Sequence, residues 1–301
     1  KWKEQTIRNT SESQFQTEFE CEFLGSVDTL INASKIKSMV AIDPKRSGSF
    51  DVWEQPKKGH IYTVCVDVAR GISNDYSAAI VIDCTKAPYK IVAKYRDNDI
   101  KPIVFPSIIQ KLGNAYNKAY VLIEINDLGQ QVADAMQFEL EYDNMMMVTQ
   151  RGRAGQVLGG GFSGRGNQLG LRMTKGTKKI GTSNLKSLIE GDKLIIQDFE
   201  IVSELSTFIA RGKSFEAEQG AHDDLVMCLV IFSWCANQRY FKELTNVDVR
   251  GQMFTDQQNA IEADMAPFGF IDDGLNDPEG NDGYFVDAGE LWQPVTYRKG
   301  E

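Results

Sequence analysis

Apolar residues follow two different periods between residues 61 and 148. Five short runs rich in β-branched and aromatic residues predict strands: Ile61–Val68, Ser77–Asp83, Tyr89–Asp97, Ala119–Ile125 and Met145–Val148. Val104–Asn117 instead places Ile108, Ile109, Leu112 and Tyr116 at helical spacing, and Leu128–Leu140 has the same amphipathic character. Lys101-Pro102 breaks the chain between the third strand and the first of these helices. The order is therefore β-β-β-α-β-α-β, a mixed α/β sheet in which a three-stranded meander precedes two crossover units. Downstream, Asn184–Glu190, Phe199–Ile209 and a long run from His222 to about Tyr240 predict further helices. Arg151–Gly170 is glycine-rich and predicts a flexible hairpin or loop. Upstream, residues 1–40 read as a polar helix and a packing arm carrying Phe15, Phe19, Phe23 and Leu24, and residues 41–60 as loop and short strand.

Charge divides the chain more sharply than its net value of −9 suggests. Gly251–Glu301 holds 11 acids and 2 bases, so residues 1–250 are balanced at 31 of each. The acidity belongs to a tail, which predicts irregular or loosely packed structure after Lys242. Arg151–Lys193 runs the other way, with 9 bases and 2 acids. One basic segment on a neutral body fits an anionic partner such as nucleic acid, although a solvated basic face is the plain alternative. The five cysteines form no C-x-x-C pair, and three sit inside apolar runs, so they read as buried thiols, not a disulfide frame or a zinc site. Leu225–Ala236 is too short to span a bilayer. The polar start Lys1-Trp2-Lys3-Glu4 is unlike a signal peptide, and its lack of an initiator Met suggests a piece of a longer protein.

Carboxylates at element ends carry the candidate chemistry. Asp67 ends the first buried run, Glu124 ends the fourth, and Asp223-Asp224 opens the long apolar helix. An acid on a buried strand is costly unless it meets a cation or hydrogen-bond donors. Hard divalent ions want such oxygen ligands, and two ions roughly 4 Å apart can serve both the attacking and the leaving oxygen of a phosphodiester. In that reading Asp67 bridges the ions, Glu124 holds one, and Asp224 or Asp223 the other. Asp75, brought back by the turn after Gly71, supports them. Each residue has a plainer alternative. Asp67 would cap the backbone of residues 69–71. Asn126 or Asp127 would cap the helix after Glu124. One or both aspartates would simply suit a helix N-terminus. His222 is a candidate water or phosphate contact, with a helix-start role as its simpler reading. The sequence holds no G-x-x-x-x-G-K-[ST] phosphate loop and no G-x-S-x-G, and its 2 histidines argue against a histidine-rich zinc site.

Five segments in order resemble the C-terminal nuclease domain of the large terminase of tailed phages, most closely the T-even type. They are Phe19–Ser26, Val66–Gly71 with Asp75–Ser77, Leu122–Glu124, Gly170–Lys175 and His222–Val226. The resemblance covers roughly residues 15–240. It implies a ribonuclease H-like fold: a mixed five-stranded central sheet flanked by helices, with the first and fourth strands adjacent. It implies residues 58–240 as the nuclease domain with a basic insertion at about 151–180, residues 1–57 as a connector to an ATPase domain, and 241–301 as an acidic C-terminal tail. By position the catalytic acids fall on Asp67, Glu124 and one of Asp223 and Asp224, with Asp75 as a further acid. Mg²⁺ or Mn²⁺ is the implied cofactor, two ions when DNA is bound. Arg151, Arg153, Arg165, Arg172, Lys175, Lys178 and Lys179 become the DNA-binding candidates. The implied partners are double-stranded DNA, the portal protein and the small terminase subunit, in the host cytoplasm at the procapsid portal vertex. The family's packaging ATPase, with its phosphate loop, has no counterpart in these 301 residues.

The leading expectation is a metal-dependent endonuclease, largely sequence-independent, that cuts concatemeric DNA. A junction resolvase or transposase of the same fold is a sibling reading. An actin-like ATPase is more distant, since no second phosphate loop is visible. A non-catalytic portal-docking module, motivated by the acidic tail, is the non-enzyme alternative.

Overall fold

The computed structural model describes residues 28–48, 50–70, 75–151, 155–159, 167–246, 286–287 and 290–291. The arm around Phe15–Leu24, the turn at Gly71 and nearly all of the acidic tail lie outside the described residues. The chain divides into two compact units, Lys1–Thr245 and Asn246–Glu301. Of the second, only a two-residue pairing of Val286–Asp287 with Glu290–Leu291 is described.

In the first unit, a short helix α1 (Ala33–Ser38) precedes strand β1 (Asp51–Val52). The meander follows as β2 (Tyr62–Asp67), β3 (Ser77–Asp83) and β4 (Tyr89–Asp97). Helix α2 (Phe105–Ala115) crosses over to β5 (Tyr120–Ile123), which lies parallel to β2 in the register Val66↔Ile123. The expected adjacency of the first and fourth predicted strands is therefore present. Strand order is β1-β4-β3-β2-β5, and β9 (Leu194–Ile195) adds to β4 on its far side. Met145 bridges Val121 in parallel at the other edge.

Side-chain alternation along these strands divides the core in two. Cys65, Ala78, Ile80, Ile82 and Leu122 enter one apolar cluster, while Val64, Val66, Ala79, Val81, Val121 and Ile123 enter the other. The second face is covered by α2 and by α3 (Gly129–Asp134), which runs on into a π-helical turn at Ala135–Glu139. The first is covered by α4 (Lys175–Glu190), α5 (Phe199–Thr207) and α6 (Asp224–Ala236). Helix α6 lies over β2 and β3, and every residue from Leu225 to Ala236 is buried, so it is apolar all round. Asn237 ends it, and α7 (Arg239–Thr245) is a separate helix where the sequence suggests one continuous run. Among the described residues no helix is long and apolar enough to cross a membrane. Cys65, Cys84, Cys228 and Cys235 are free and buried.

Three expectations need correction. The glycine-rich stretch is more than the expected hairpin or loop: β6 (Met147–Arg151) pairs with β7 (Gly155–Gly159) as a hairpin, and β8 (Asn167–Leu169) adds on the other side in an antiparallel three-stranded sheet. Gln156 ties that sheet to the start of α4, donating to the Arg172 carbonyl and Thr177 Oγ1 and accepting from Arg172 N. Helix α4 begins at Lys175, nine residues before the helix the apolar spacing suggests, because Thr174 caps it by accepting from Thr177 N. Residues 208–209 leave the expected helix to form a hairpin of β10 (Phe208–Arg211) and β11 (Ser214–Ala217), which turns at Gly212 with φ +62°.

Helices α4 and α6 touch at Gly181, where a Cβ would stand 2.7 Å from the Val230 carbonyl oxygen and 2.6 Å from its Cγ1. Helix propensity alone favours alanine over glycine by about 1 kcal/mol. Gly181→Ala is nonetheless expected to lower stability by about 1–3 kcal/mol through overpacking, read from urea unfolding. A gain in stability would contradict this contact.

Candidate active site

Strand parity places two of the acids. Asp67 follows Thr63 and Cys65 on the face of β2 that α6 covers, and Glu124 follows Leu122 on the same face of β5. The strands are parallel neighbours, and Glu124 N donates to the Val66 carbonyl at 2.9 Å. Both carboxylates therefore lie at one end of adjacent strands, beneath the N-terminus of α6. Glu124 is held from two further sides. Its segment pairs with Leu171, and Gly170 (φ +94°) permits this because a Cβ there would lie 2.4 Å from the Ile123 carbonyl oxygen. On the other side α3 starts directly on it: a Cβ at Gly129 would lie 1.8 Å from the Glu124 carbonyl oxygen.

Neither Asn126 nor Asp127 caps α3. Asn126 clamps the backbone of Met173, donating to its carbonyl and accepting from its N–H. Asp127 pairs with Arg70 Nε at 2.6 Å. Of the groups Asp67 would cap, Ala69 N donates instead to Ser77 Oγ.

The N-terminus of α6 resolves a further alternative. Asp223 is its N-cap residue, yet among the described residues its side chain makes no capping bond. The cap comes from α5: Glu204 Oε2 accepts from Leu225 N at 2.9 Å and Val226 N at 3.0 Å. Asp223 and Asp224 are thus released from that duty. Asp224 Oδ1 accepts weakly from Tyr76 N at 3.4 Å, while its Oδ2 lies 3.7 Å from Arg96 Nη2 and 3.8 Å from His222 Nδ1. Arg96 also approaches Glu204 Oε1 at 3.0 Å and lies over the Tyr76 ring at 3.9 Å; that ring meets His222 edge-on. Asp223 lies 3.9 Å from Lys178 Nζ. Asp75 is exposed, and its charge reaches Asp223.

Burial pushes the Asp67 carboxyl well above the usual carboxylate range, and the charges of Glu124, Asp224 and Asp223 add to the push in that order. Glu124 is pushed up to about 7 by burial, with Lys178 pulling it back and Asp223 adding to it. Burial also raises Asp223 and Asp224, opposed first by Lys178 at one and by Arg96 at the other. Glu124 Oε2 and Asp224 Oδ2 are buried without a hydrogen-bond partner among the described residues. Among the described residues, no three His, Cys, Asp or Glu side chains stand close enough to hold a metal ion as they are now placed. Their chemistry nonetheless fits a hard divalent cation: oxygen donors only, crowded like charges, and unfilled lone pairs.

The basic candidates separate. Arg172, Lys175 and Lys179 are exposed around the start of α4, whereas Lys178 turns inward to the acids. Arg153 and Arg165 lie outside the described residues, as does the Arg151 side chain.

Residues 64–232 match the family model described as the terminase RNaseH-like domain. That is more than half of the chain.

This chain belongs to the terminase RNase H-like family.

Two solved structures of the large terminase nuclease from thermophilic phage G20c, one with bound cobalt and one with bound magnesium, are each 20 % identical to it. Each match has a TM-score of 0.53 and covers 69 % of this chain and 97 % of the solved one. The likeness is one of fold. The match reaches the terminase family and not its T-even-type branch.

Sequence reasoning missed Glu204, Arg96 and Tyr76 in this terminase domain. Arg96 had a signal: Lys90, Lys94 and Arg96 fall at even spacing in a strand that also carries Ile91, Val92 and Ala93. Its face becomes clear only from the pairing of Arg96 with Ala78 and of Lys94 with Ile80. Glu204, one acid in a helix, carried none.

Two outcomes follow. Glu204→Ala orphans two buried N–H groups and leaves Arg96 short of a partner, so it is expected to cost about 3 kcal/mol in chemical denaturation. A loss below about 1 kcal/mol would rule out the cap as a structural element. Glu124 and Glu204, both raised from 4.5 to about 7, favour folding while protonated. That contribution is complete below about 4.5 and is lost as pH rises through about 7. In a chelator, the melting temperature should therefore fall across this window relative to Glu124→Gln; parallel profiles would contradict the assignment.

Proposed function

We propose that this chain is a divalent-metal-dependent DNA endonuclease of a phage genome-packaging motor. The observation that carries the reading is the convergence of Asp67, Glu124, Asp223 and Asp224 at one end of the parallel pair β2–β5, half-buried and undercompensated. Family membership and the metal-bound G20c nuclease structures support it.

Asp67, Glu124 and Asp224 are the proposed metal ligands, with Asp223 the alternative third acid and Asp75 supporting from the rim. Bound Mg²⁺ or Mn²⁺, two ions once DNA is present, would supply Lewis acidity at the attacking and leaving oxygens of the phosphodiester. The protein's own part is positional. Leu171, Gly170 and Gly129 fix the backbone of Glu124, β2 fixes Asp67, and the Glu204 cap fixes the turn that presents Asp223 and Asp224. Mutual repulsion keeps the carboxylates apart, so their approach to a shared ion is favourable only with the cation. His222, which lies beside Asp224 and Tyr76, is the proposed contact to water or phosphate. Exposed Arg172, Lys175 and Lys179, together with Arg151, Arg153 and Arg165, form the proposed phosphate-binding surface. Residues 58–240 are the nuclease domain, 1–57 the connector to the motor's ATPase domain, and 241–301 the acidic tail. The partners are double-stranded DNA, the portal protein and the small terminase subunit at the procapsid portal vertex.

Supercoiled plasmid, incubated with Mg²⁺ or Mn²⁺, tests this. Asp67→Asn is expected to reduce cutting at least about a hundredfold, as removal of a transition-state stabilising group does. It should leave metal-free DNA binding intact, and that binding should weaken with salt as phosphate contacts release counterions. Wild-type cutting by Asp67→Asn would end the assignment.

A further inference from the structure

Lys178 differs from the basic residues around it. It shares a helical face with Gly181 and Leu185, three and seven residues on, and that is the face of α4 packed on α6. The two helices run side by side in the same direction: Gly181 lies against Val230, and Asn184 Nδ2 donates to the Ser233 carbonyl. One turn before Gly181, that geometry delivers Lys178 to the N-terminus of α6. Its Nζ lies 3.9 Å from Asp223 Oδ2 and 5.6 Å from the centre of the Phe208 ring. Its charge is the largest influence opposing burial at both Glu124 and Asp223.

The contacts are those of a counter-ion, not of a surface phosphate clamp. A clamp would be exposed, as Lys175 and Lys179 are. A separation of 3.9 Å is too long for a hydrogen bond, so no short bond locks the ammonium to Asp223. The Phe208 ring offers it a second place to rest. One ammonium serving Glu124 and Asp223 also leaves Glu124 Oε2 with room for another cation.

We propose that Lys178 is a positioning residue of the carboxylate site, a tethered counter-ion of Glu124 and Asp223 that a divalent ion displaces as it loads. This rests on the reading of those carboxylates as metal ligands. It assigns Lys178 to metal loading and leaves the DNA surface to its exposed neighbours. Because the ammonium competes with the ion, removing its charge tightens metal binding even though the site loses a favourable contact.

The experiment is Mn²⁺ titration by calorimetry at pH 8, above the value of about 7 to which Glu124 is raised, on wild type, Lys178→Gln, Lys178→Met and Lys178→Arg. Metal-free duplex binding is measured across a salt series on the same proteins and on Lys179→Gln. Both neutral variants are expected to bind Mn²⁺ roughly tenfold more tightly, the scale of one nearby charge at high effective dielectric. Lys178→Arg should match wild type. Lys178→Met keeps the apolar stem on Phe208, so it separates charge from packing. The salt dependence should be unchanged in the Lys178 variants and shallower by about one counterion in Lys179→Gln. Unchanged or weaker Mn²⁺ binding in the neutral variants would overturn the proposal, as would a shallower salt dependence in them. Failure of the wild type to bind Mn²⁺ at all would overturn it by a different route, by removing the metal reading on which it rests.

Discussion

Four carboxylates gathered at one end of two parallel strands, beneath a helix with no polar face, are the constraint on which this structure turns. Like charges in a poorly solvated place raise one another's proton affinity, and burial raises all of them. The surrounding fold supplies only partial relief. Arg96 attends Asp224 from the sheet, and Lys178 attends Asp223 and Glu124 from α4. Among the described residues, these two cations for four acids leave a negative deficit. A site in this condition is poorly suited to structural stability and well suited to capturing a cation.

The helix cap makes that arrangement available. An acid at the start of α6 would ordinarily satisfy the free N–H groups there and have little left to offer. Glu204, reaching across from α5, takes over the duty for Leu225 and Val226. The Asp223 and Asp224 side chains can then face the strand ends. Glu204 is held by Arg96, Arg96 stacks on Tyr76, and Tyr76 N donates to Asp224. The third acidic signal is thus fixed through contacts from Tyr76, β4 and α5, none of them near it in sequence.

This explains what could and could not be read in advance. The central sheet was legible because its strands are short, β-branched and separated by clear breakers. Parity alone placed Glu124 with Leu122; that Asp67 shares the face of Cys65 follows in the same way from β2. Failures arose where tertiary packing overrides local pattern. The start of α4 is polar and carries Gly176 and Gly181, so its spacing looks unlike a helix, yet α6 requires that glycine for close contact. The hairpin after α5 continues an apparently helical pattern until Gly212 turns it back. Lys178 and Lys179 are adjacent and chemically alike. Only the helix face separates a residue in the acidic site from one in solvent. That the Asp223 side chain does not cap the helix was likewise hidden until Glu204 was seen to cap it.

A crystal soaked in Mn²⁺ tests the central claim most directly. Anomalous scattering identifies the ion without reference to activity. The account predicts density between the Asp67 carboxylate and those of Glu124 and Asp224. Ordered Mn²⁺ elsewhere in the crystal, with none beside Asp67, would contradict it.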